Sequence, residues 1–278
     1  MQTSFETLTV SLRDGIAFVN LNRPAKANAA NPRMWEEIPL ALEAVCACDE
    51  DIRVVVLGGE GKHFCAGIDL GASGEGGPIA AMAGGGSCPA RQRVRLLNGI
   101  RALQESVSSL ERCPLPVIAA IHGACVGGAI DIVTAADIRI ASADAYFSVK
   151  EVDLAITADL GTLQRLPGII GEGRARELSL TGRRFDAEEA RAMGLVTALA
   201  PTRAALLAEA EKLALSLAAK SPLAVQGTKK VSLHSRDRSV ADGLEHVATL
   251  NAAILMSKDL QTAMGVARNA PAPTFSRL

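Results

Sequence analysis

Apolar and polar residues alternate along Phe5–Leu12 and Ile16–Asn22, with Asp14-Gly15 between them. That period-two pattern around a turn pair predicts a β-hairpin. The period then changes. Asn31-Pro32 precedes apolar residues at helical spacing to about Cys48. Asn suits an N-cap, and Pro suits the first helical position because it has no N–H to leave unpaired. Arg53–Gly58 (RVVVLG) and Pro116–Ile121 (PVIAAI) are nearly unbroken apolar runs and read as buried strands. Between them, Gly71–Gly86 is rich in Gly and Ala without periodicity and reads as a mobile loop, while Arg91–Arg112 reads as a long amphipathic helix.

Downstream, a glycine turn leads into a short apolar helix over Gly127–Ala135, and Ile138–Ala141 and Tyr146–Val149 read as short strands. Leu160–Leu166 and Gly173–Thr181 have helical character, and Asp186-Ala187-Glu188-Glu189 resembles a capping box. Leu195–Leu199 reads as a strand, and from Thr202 the pattern is helical almost to the end. Strand–helix alternation followed by helices predicts an α/β core over residues 1–200 and a helical region over 201–278.

Composition narrows the classes. The 278 residues are 49% hydrophobic and 21% charged, which fits a globular chain. A net charge of -1 and 3% aromatics give neither the basic footprint nor the stacking platforms of a nucleic-acid binder. No run approaches the roughly 18 apolar residues of a membrane span, and the N-terminus shows neither a signal nor a transit pattern. The six cysteines form no CxxC or zinc spacing, so they read as buried, reduced thiols of a reducing compartment. Ser276-Arg277-Leu278 resembles a peroxisomal address, which carries meaning only in a eukaryote; a bacterial source implies the cytoplasm.

Three carboxylates lie in apolar stretches where an acid is costly: Asp131 in GGAIDIV, Glu151 in VKEVDLAI and Asp159 in ITADLGTL. An acid removed from water must be paired or must hold its proton, so the three suggest a proton-transfer site. Each also has a plain structural reading. Asp131 fits a cap or a pair within its helix, Glu151 a solvated loop charge between Lys150 and Asp153, and Asp159 an N-cap for a helix starting at Leu160. Two glycine-bearing segments, His63–Leu70 (HFCAGIDL) and Gly123–Ala129 (GACVGGA), follow predicted strands. Backbone N–H groups from two such turns suit an oxyanion hole, though either turn could serve packing alone. Neither is a dinucleotide fingerprint or a P-loop. His63, His122 and Arg165 read as structural.

Taken in order, these segments resemble the crotonase, or enoyl-CoA hydratase/isomerase, superfamily over nearly the whole chain. The resemblance rests on Asn22-Arg23-Pro24-Ala25-Lys26-Ala27-Asn28-Ala29, then FCAGIDL, HGACVGGAID and AADIRIAS, then Leu180-Thr181-Gly182, AEEARAMGLV over Ala187–Val196, and Ser221-Pro222-Leu223-Ala224. It implies a spiral of ββα units with a C-terminal helical region, an acyl-CoA thioester substrate, and a homotrimer or homohexamer. It implies no metal or redox cofactor, CoA being part of the substrate. By resemblance the oxyanion donors are the N–H groups of Ala66 and Gly128, and CoA passes near Lys26, Ala27, Ala66, Gly67, Ile68 and Asp69.

Hydratases of this superfamily usually carry two glutamates at the positions of Asp131 and Glu151, and glycine at that of Asp159. The Asp/Glu/Asp set here, with Glu151 twenty positions after Asp131 and Asp159 eight further on, is similar to that of Δ3,5-Δ2,4-dienoyl-CoA isomerases. That resemblance implies catalytic roles for all three: Glu151 as base at C2, Asp159 as acid at C6, and Asp131 tuning the others or orienting the substrate. Competing readings are a 2-enoyl-CoA hydratase and a non-catalytic acyl-CoA-binding or RNA-associated protein of the same fold.

Overall fold

A computed structural model describes residues 4–71, 88–265 and 273–278. The hairpin forms where alternation predicts it: β1 (Leu8–Arg13) pairs antiparallel with β2 (Ile16–Leu21). Asp14 and Gly15 both take positive φ, the turn geometry that matches strand twist. Next comes α1 (Pro32–Ala47), capped by Asn31, whose side chain accepts the Met34 N–H at 2.9 Å. β3 (Val54–Gly59), α2 (Pro89–Arg112) and β4 (Val117–Ile121) fall within a few residues of their expected bounds. Apart from Gly71, the expected 71–86 loop lies outside the described residues.

Beyond β4, the chain makes β5 (Ala124–Val126), α3 (Gly128–Ala135), β6 (Ile138–Ser142) and β7 (Tyr146–Ser148). A 3-10 turn at Glu151–Leu154 leads to α4 (Thr162–Ile170) and α5 (Glu172–Thr181). β8 (Phe185–Asp186), α6 (Ala187–Met193) and β9 (Ala198–Ala200) complete the mixed portion. Asp186 caps α6 through the Glu189 N–H at 2.8 Å, but the Glu189 carboxylate turns to Arg183, so only one arm of the capping box forms. Four helices follow: α7 (Arg203–Ala218), α8 (Pro222–Ser235), α9 (Val240–Ile254) and α10 (Lys258–Gly265).

The large sheet runs β1-β2-β3-β4-β6-β9, parallel from β2 onward, and a small one runs β5-β7-β8. A long strand, a short strand and then a helix recur, as in β4-β5-α3 and β6-β7 with α4. The polypeptide thus winds as a spiral of ββα turns. In the first turn, Cys65 alone takes the place of the short strand, bridging to Cys125 of β5.

Side-chain alternation divides the large sheet's faces. Ile16, Val54, Val56, Ile118, Ala120 and Ile140 meet Leu206, Ala210 and Ala214 of α7. Val19, Val55, Leu57, Val117, Ala119 and Ile121 meet α1, α2 and α3 across the larger core. Cover on both faces explains the unbroken apolar runs. All six cysteines are free thiols, but Cys46 and Cys88 are exposed rather than buried as expected; burial pushes Cys65 up to about 12, while Cys46 and Cys113 touch at 3.8 Å. Among the described residues, no helix is long and apolar enough to cross a membrane.

Candidate active site

The first wall of the site comes from three segments stitched edge to edge. Ala27 and Asn28 follow the 3-10 turn Pro24–Lys26 with positive φ. Asn28 tolerates this because its side chain is fully used: it accepts the Arg23 N–H at 2.8 Å and donates to Glu60 O and His63 O at 2.8 and 2.7 Å. Ala30 then bridges to Ile68, donating to Gly67 O at 2.7 Å and accepting from the Asp69 N–H at 2.9 Å. Cys65 exchanges backbone hydrogen bonds with Ala124 and Val126. Lys26, Ala27, Ala66, Gly67, Ile68 and Asp69 therefore lie along one edge.

Gly128 completes this edge. The bare face of Gly67 lies against the Gly128 nitrogen, and Gly128 itself packs against Trp35 and Ile68. The Gly128 N–H opens α3, in the first turn, where an amide has no acceptor within its own helix. The Ala66 N–H donates to the Ala27 carbonyl at 3.0 Å. Asp69 pairs with Arg23 at 2.7 Å, and this hydrogen bond holds its carboxyl below the usual range.

The acids form the second wall. Glu151 is buried, and its Oε2 has no hydrogen-bond partner among the described residues. Its neighbours Lys150 and Asp153 pair with each other at the surface, which overturns the reading of Glu151 as a solvated loop charge. Its Oε1 lies 3.4 Å from where a Cβ on Gly127 would stand, and Gly127 has φ 56°. Only glycine takes that backbone conformation easily with the carboxylate so close. Burial is the main cause raising the Glu151 pKa, with the Asp159 charge adding to it.

Asp131 is buried in the first turn of α3, and its Oδ1 accepts the Thr162 N–H at 2.6 Å. It therefore caps α4, not its own helix. This bond also corrects the N-cap expected of Asp159: α4 starts at Thr162, Gly161 stands at its cap position, and the acceptor arrives from α3. Burial first, then the charges of Glu151 and Asp159, push Asp131 up to about 7. Asp159 sits at an exposed lip, where partial desolvation raises its pKa more modestly. The three acids thus sense one another across the site. Among the described residues, no group of three or more His, Cys, Asp or Glu side chains is placed to hold a metal ion.

Three contributors had no signal in local sequence. Thr162 supplies the amide that Asp131 holds, Trp35 backs Gly128, and Gln104 of α2 reaches the Asp159 carbonyl at 2.6 Å. Each partner is remote in sequence, so no periodicity marks it. His63 and His122 make backbone contacts, to the Ala124 N–H and Gly61 O, in keeping with structural roles.

Two glycine turns meet beside two buried acids and a third at the rim, whose charges raise the pKa of Asp131 and Glu151, an arrangement chemically suited to proton transfer. The chain matches the enoyl-CoA hydratase/isomerase family over residues 11–270, and it belongs to that family. Within it, the chain is similar along its whole length to Δ3,5-Δ2,4-dienoyl-CoA isomerases. The peroxisomal one of Arabidopsis thaliana is 43% identical over 278 residues, covering 99% of each chain. The mitochondrial one of Homo sapiens is 44% identical over 264 residues, covering 92% of this chain and 77% of that one. Among solved structures, the enoyl-CoA hydratase of Bacillus anthracis aligns with a TM-score of 0.85 at 30% identity, covering 97% of this chain and 99% of that one. A putative enoyl-CoA hydratase of Thermobifida fusca YX in complex with CoA aligns with a TM-score of 0.77 at 30% identity, covering 90% of this chain and 93% of that one.

Proposed function

We propose that this protein converts a 3,5-dienoyl-CoA to a 2,4-dienoyl-CoA during β-oxidation of unsaturated fatty acyl chains. The observation that carries the reading is the convergence of Asp159 with Asp131 and Glu151: desolvation raises all three, the charges of Glu151 and Asp159 raise Asp131 further, and that of Asp159 raises Glu151. In this reading, ionised Glu151 takes a C2 proton, and the released electron pair delocalises onto the thioester oxygen and along the diene. The Gly128 and Ala66 N–H groups receive that oxygen, which shares the Ala66 donor with the Ala27 carbonyl. Protonated Asp159 then delivers its proton to C6, leaving double bonds at C2=C3 and C4=C5.

Desolvation serves both ends. It makes ionised Glu151 a stronger base than an ordinary carboxylate, and repulsion helps one acid keep its proton. A proton returning from Glu151 to Asp159 through solvent resets the site. No electrons leave the substrate, so the reading calls for no redox cofactor, and the amide pair supplies the polarisation of the thioester oxygen. Lys26, Ala27, Ile68 and Asp69 line the path proposed for CoA.

We also propose assembly into a trimer or hexamer through the C-terminal helices. Val240, Met256 and Met264 are 80%, 87% and 79% exposed there, and α8–α10 enclose an apolar cleft of about 430 Å³. Such apolar area is costly to leave in water.

The catalytic test compares purified wild type, Asp159→Asn and Glu151→Gln on a 3,5-dienoyl-CoA and a 2-enoyl-CoA, with C2-proton exchange followed in D₂O. Asp159→Asn is expected to lose about 10²-fold or more in isomerisation while keeping C2 exchange, and Glu151→Gln to lose both. Normal isomerisation by Asp159→Asn overturns the C6 role. Strong hydration of 2-enoyl-CoA without diene formation favours the hydratase reading.

A further inference from the structure

The segment carrying Asp159 is held mainly through its backbone. Gln104 Nε2 donates to Asp159 O at 2.6 Å, and Arg165 Nη1 donates to the next carbonyl, Leu160 O, at 3.2 Å. Two residues on, the Thr162 N–H is held by Asp131. Arg165 is itself fixed, its Nη2 donating to Ser108 Oγ at 3.0 Å and to Glu111 Oε2 at 2.9 Å. Glu111 also binds Arg236, the residue that follows α8. Burial opposes the Glu111 charge, but the two arginines outweigh it and hold its carboxyl below the usual range.

Gly161 is fitted to this grip. Its φ is 124°, and a Cβ there would stand 1.7 Å from Arg165 Nη1. The guanidinium occupies the space any side chain would need. Residues Gln104, Ser108 and Arg165 line a cleft of about 540 Å³ together with Asp159, Leu160 and Gly161. Glu151 stands apart from this assembly, on its own 3-10 turn after β7.

We propose that Gln104 and Arg165 are positioning residues for the Asp159 end of the reaction, clamping the 159–161 backbone so that proton delivery to C6 is set separately from proton removal at C2. The inference rests on the reading of Asp159 as the C6 acid. Neither residue touches the reacting atoms; both act through the carbonyls beside the acid. Loss of a clamp leaves the acid chemically intact but displaced, and a misplacement of about 1 Å can cost on the order of 10²-fold.

The test uses the full-length protein and the variants Gln104→Met, Arg165→Lys, Arg165→Met and Asp159→Asn. For each, kcat and KM are measured with a 3,5-dienoyl-CoA, together with C2-proton exchange in D₂O. Gln104→Met keeps side-chain length, removes the donor and lies at a half-buried position. It is expected to lower kcat about 10-fold, with KM and C2 exchange within about twofold of wild type. Arg165→Lys, which keeps one donor, is expected to fall between wild type and Arg165→Met. Unchanged kcat in Gln104→Met, or C2 exchange and isomerisation falling in step, overturns the clamp. If Asp159→Asn loses isomerisation and keeps exchange while Gln104→Met behaves as wild type, only the clamp fails. If Asp159→Asn isomerises normally, the reading beneath it fails.

Discussion

Two buried acids show how surroundings decide what a carboxylate does. Glu37 is fully buried, yet the donors around it outweigh burial and hold its pKa below the usual range. Thr7 supplies its hydroxyl at 2.6 Å and its N–H at 2.8 Å, Glu6 its N–H at 2.9 Å, and Arg33 a charge at 2.9 Å. Asp131 has the Thr162 N–H and two nearby acids, and is pushed up to about 7 from an ordinary 3.8. The folded state therefore holds the Asp131 proton more tightly than the unfolded chain does. Its stabilising contribution is present below about pH 4 and is lost as pH rises through about 7, worth up to roughly 4 kcal/mol. Asp131→Asn keeps an oxygen for Thr162 and has no proton to lose. Its Tm is expected to decline less than that of wild type between about pH 4 and 8; parallel curves in calorimetry would contradict this.

At the scale of elements, α7 is the cleanest case of a helix kept by what it buries. Leu206, Ala210 and Ala214 cover the sheet face opposite the one that supports the site. Leu206→Ala is expected to cost about 2–5 kcal/mol in urea denaturation while leaving kcat of the folded protein unchanged. A matching loss in kcat would mean that α7 transmits strain across the sheet. Elements with local causes were legible in the sequence: the Asp14-Gly15 hairpin, the Asn31-capped helix, and the apolar runs of β3 and β4. Elements fixed from afar were not. α4 begins at Thr162 because Asp131 caps it from another helix. β9 covers Ala198–Ala200, later than the expected Leu195–Leu199, because the Leu195 N–H is taken by Ala190 O at 2.9 Å and its side chain by the core. β5 and β8, of three and two residues, are too short to display a period. The acids were visible as anomalies of polarity, but Gln104 was not, since its partner is a carbonyl 55 residues away.

For the whole molecule, the apolar exposure of α9 and α10 argues at the scale of copies. Light scattering on the purified protein is expected to give three or six times the 28.9 kDa chain mass. Replacing Val240, Leu244 and Met256 with Lys is expected to shift that mass toward one chain; an unchanged mass would move the interface elsewhere. Within one chain, the first turn of the spiral brings Ala66, the second brings Gly128 and Asp131, and the third brings Glu151 and Asp159. Parallel strands joined by long crossovers form their contacts late, after distant segments meet. A chain synthesised from its N-terminus therefore presents the amide edge and Asp131 before Glu151 and Asp159. The pKa values of these acids rise only once the stacked turns exclude water from them. On the proposed reading, the base for C2 and the acid for C6 face the amide edge only once the third turn is in place.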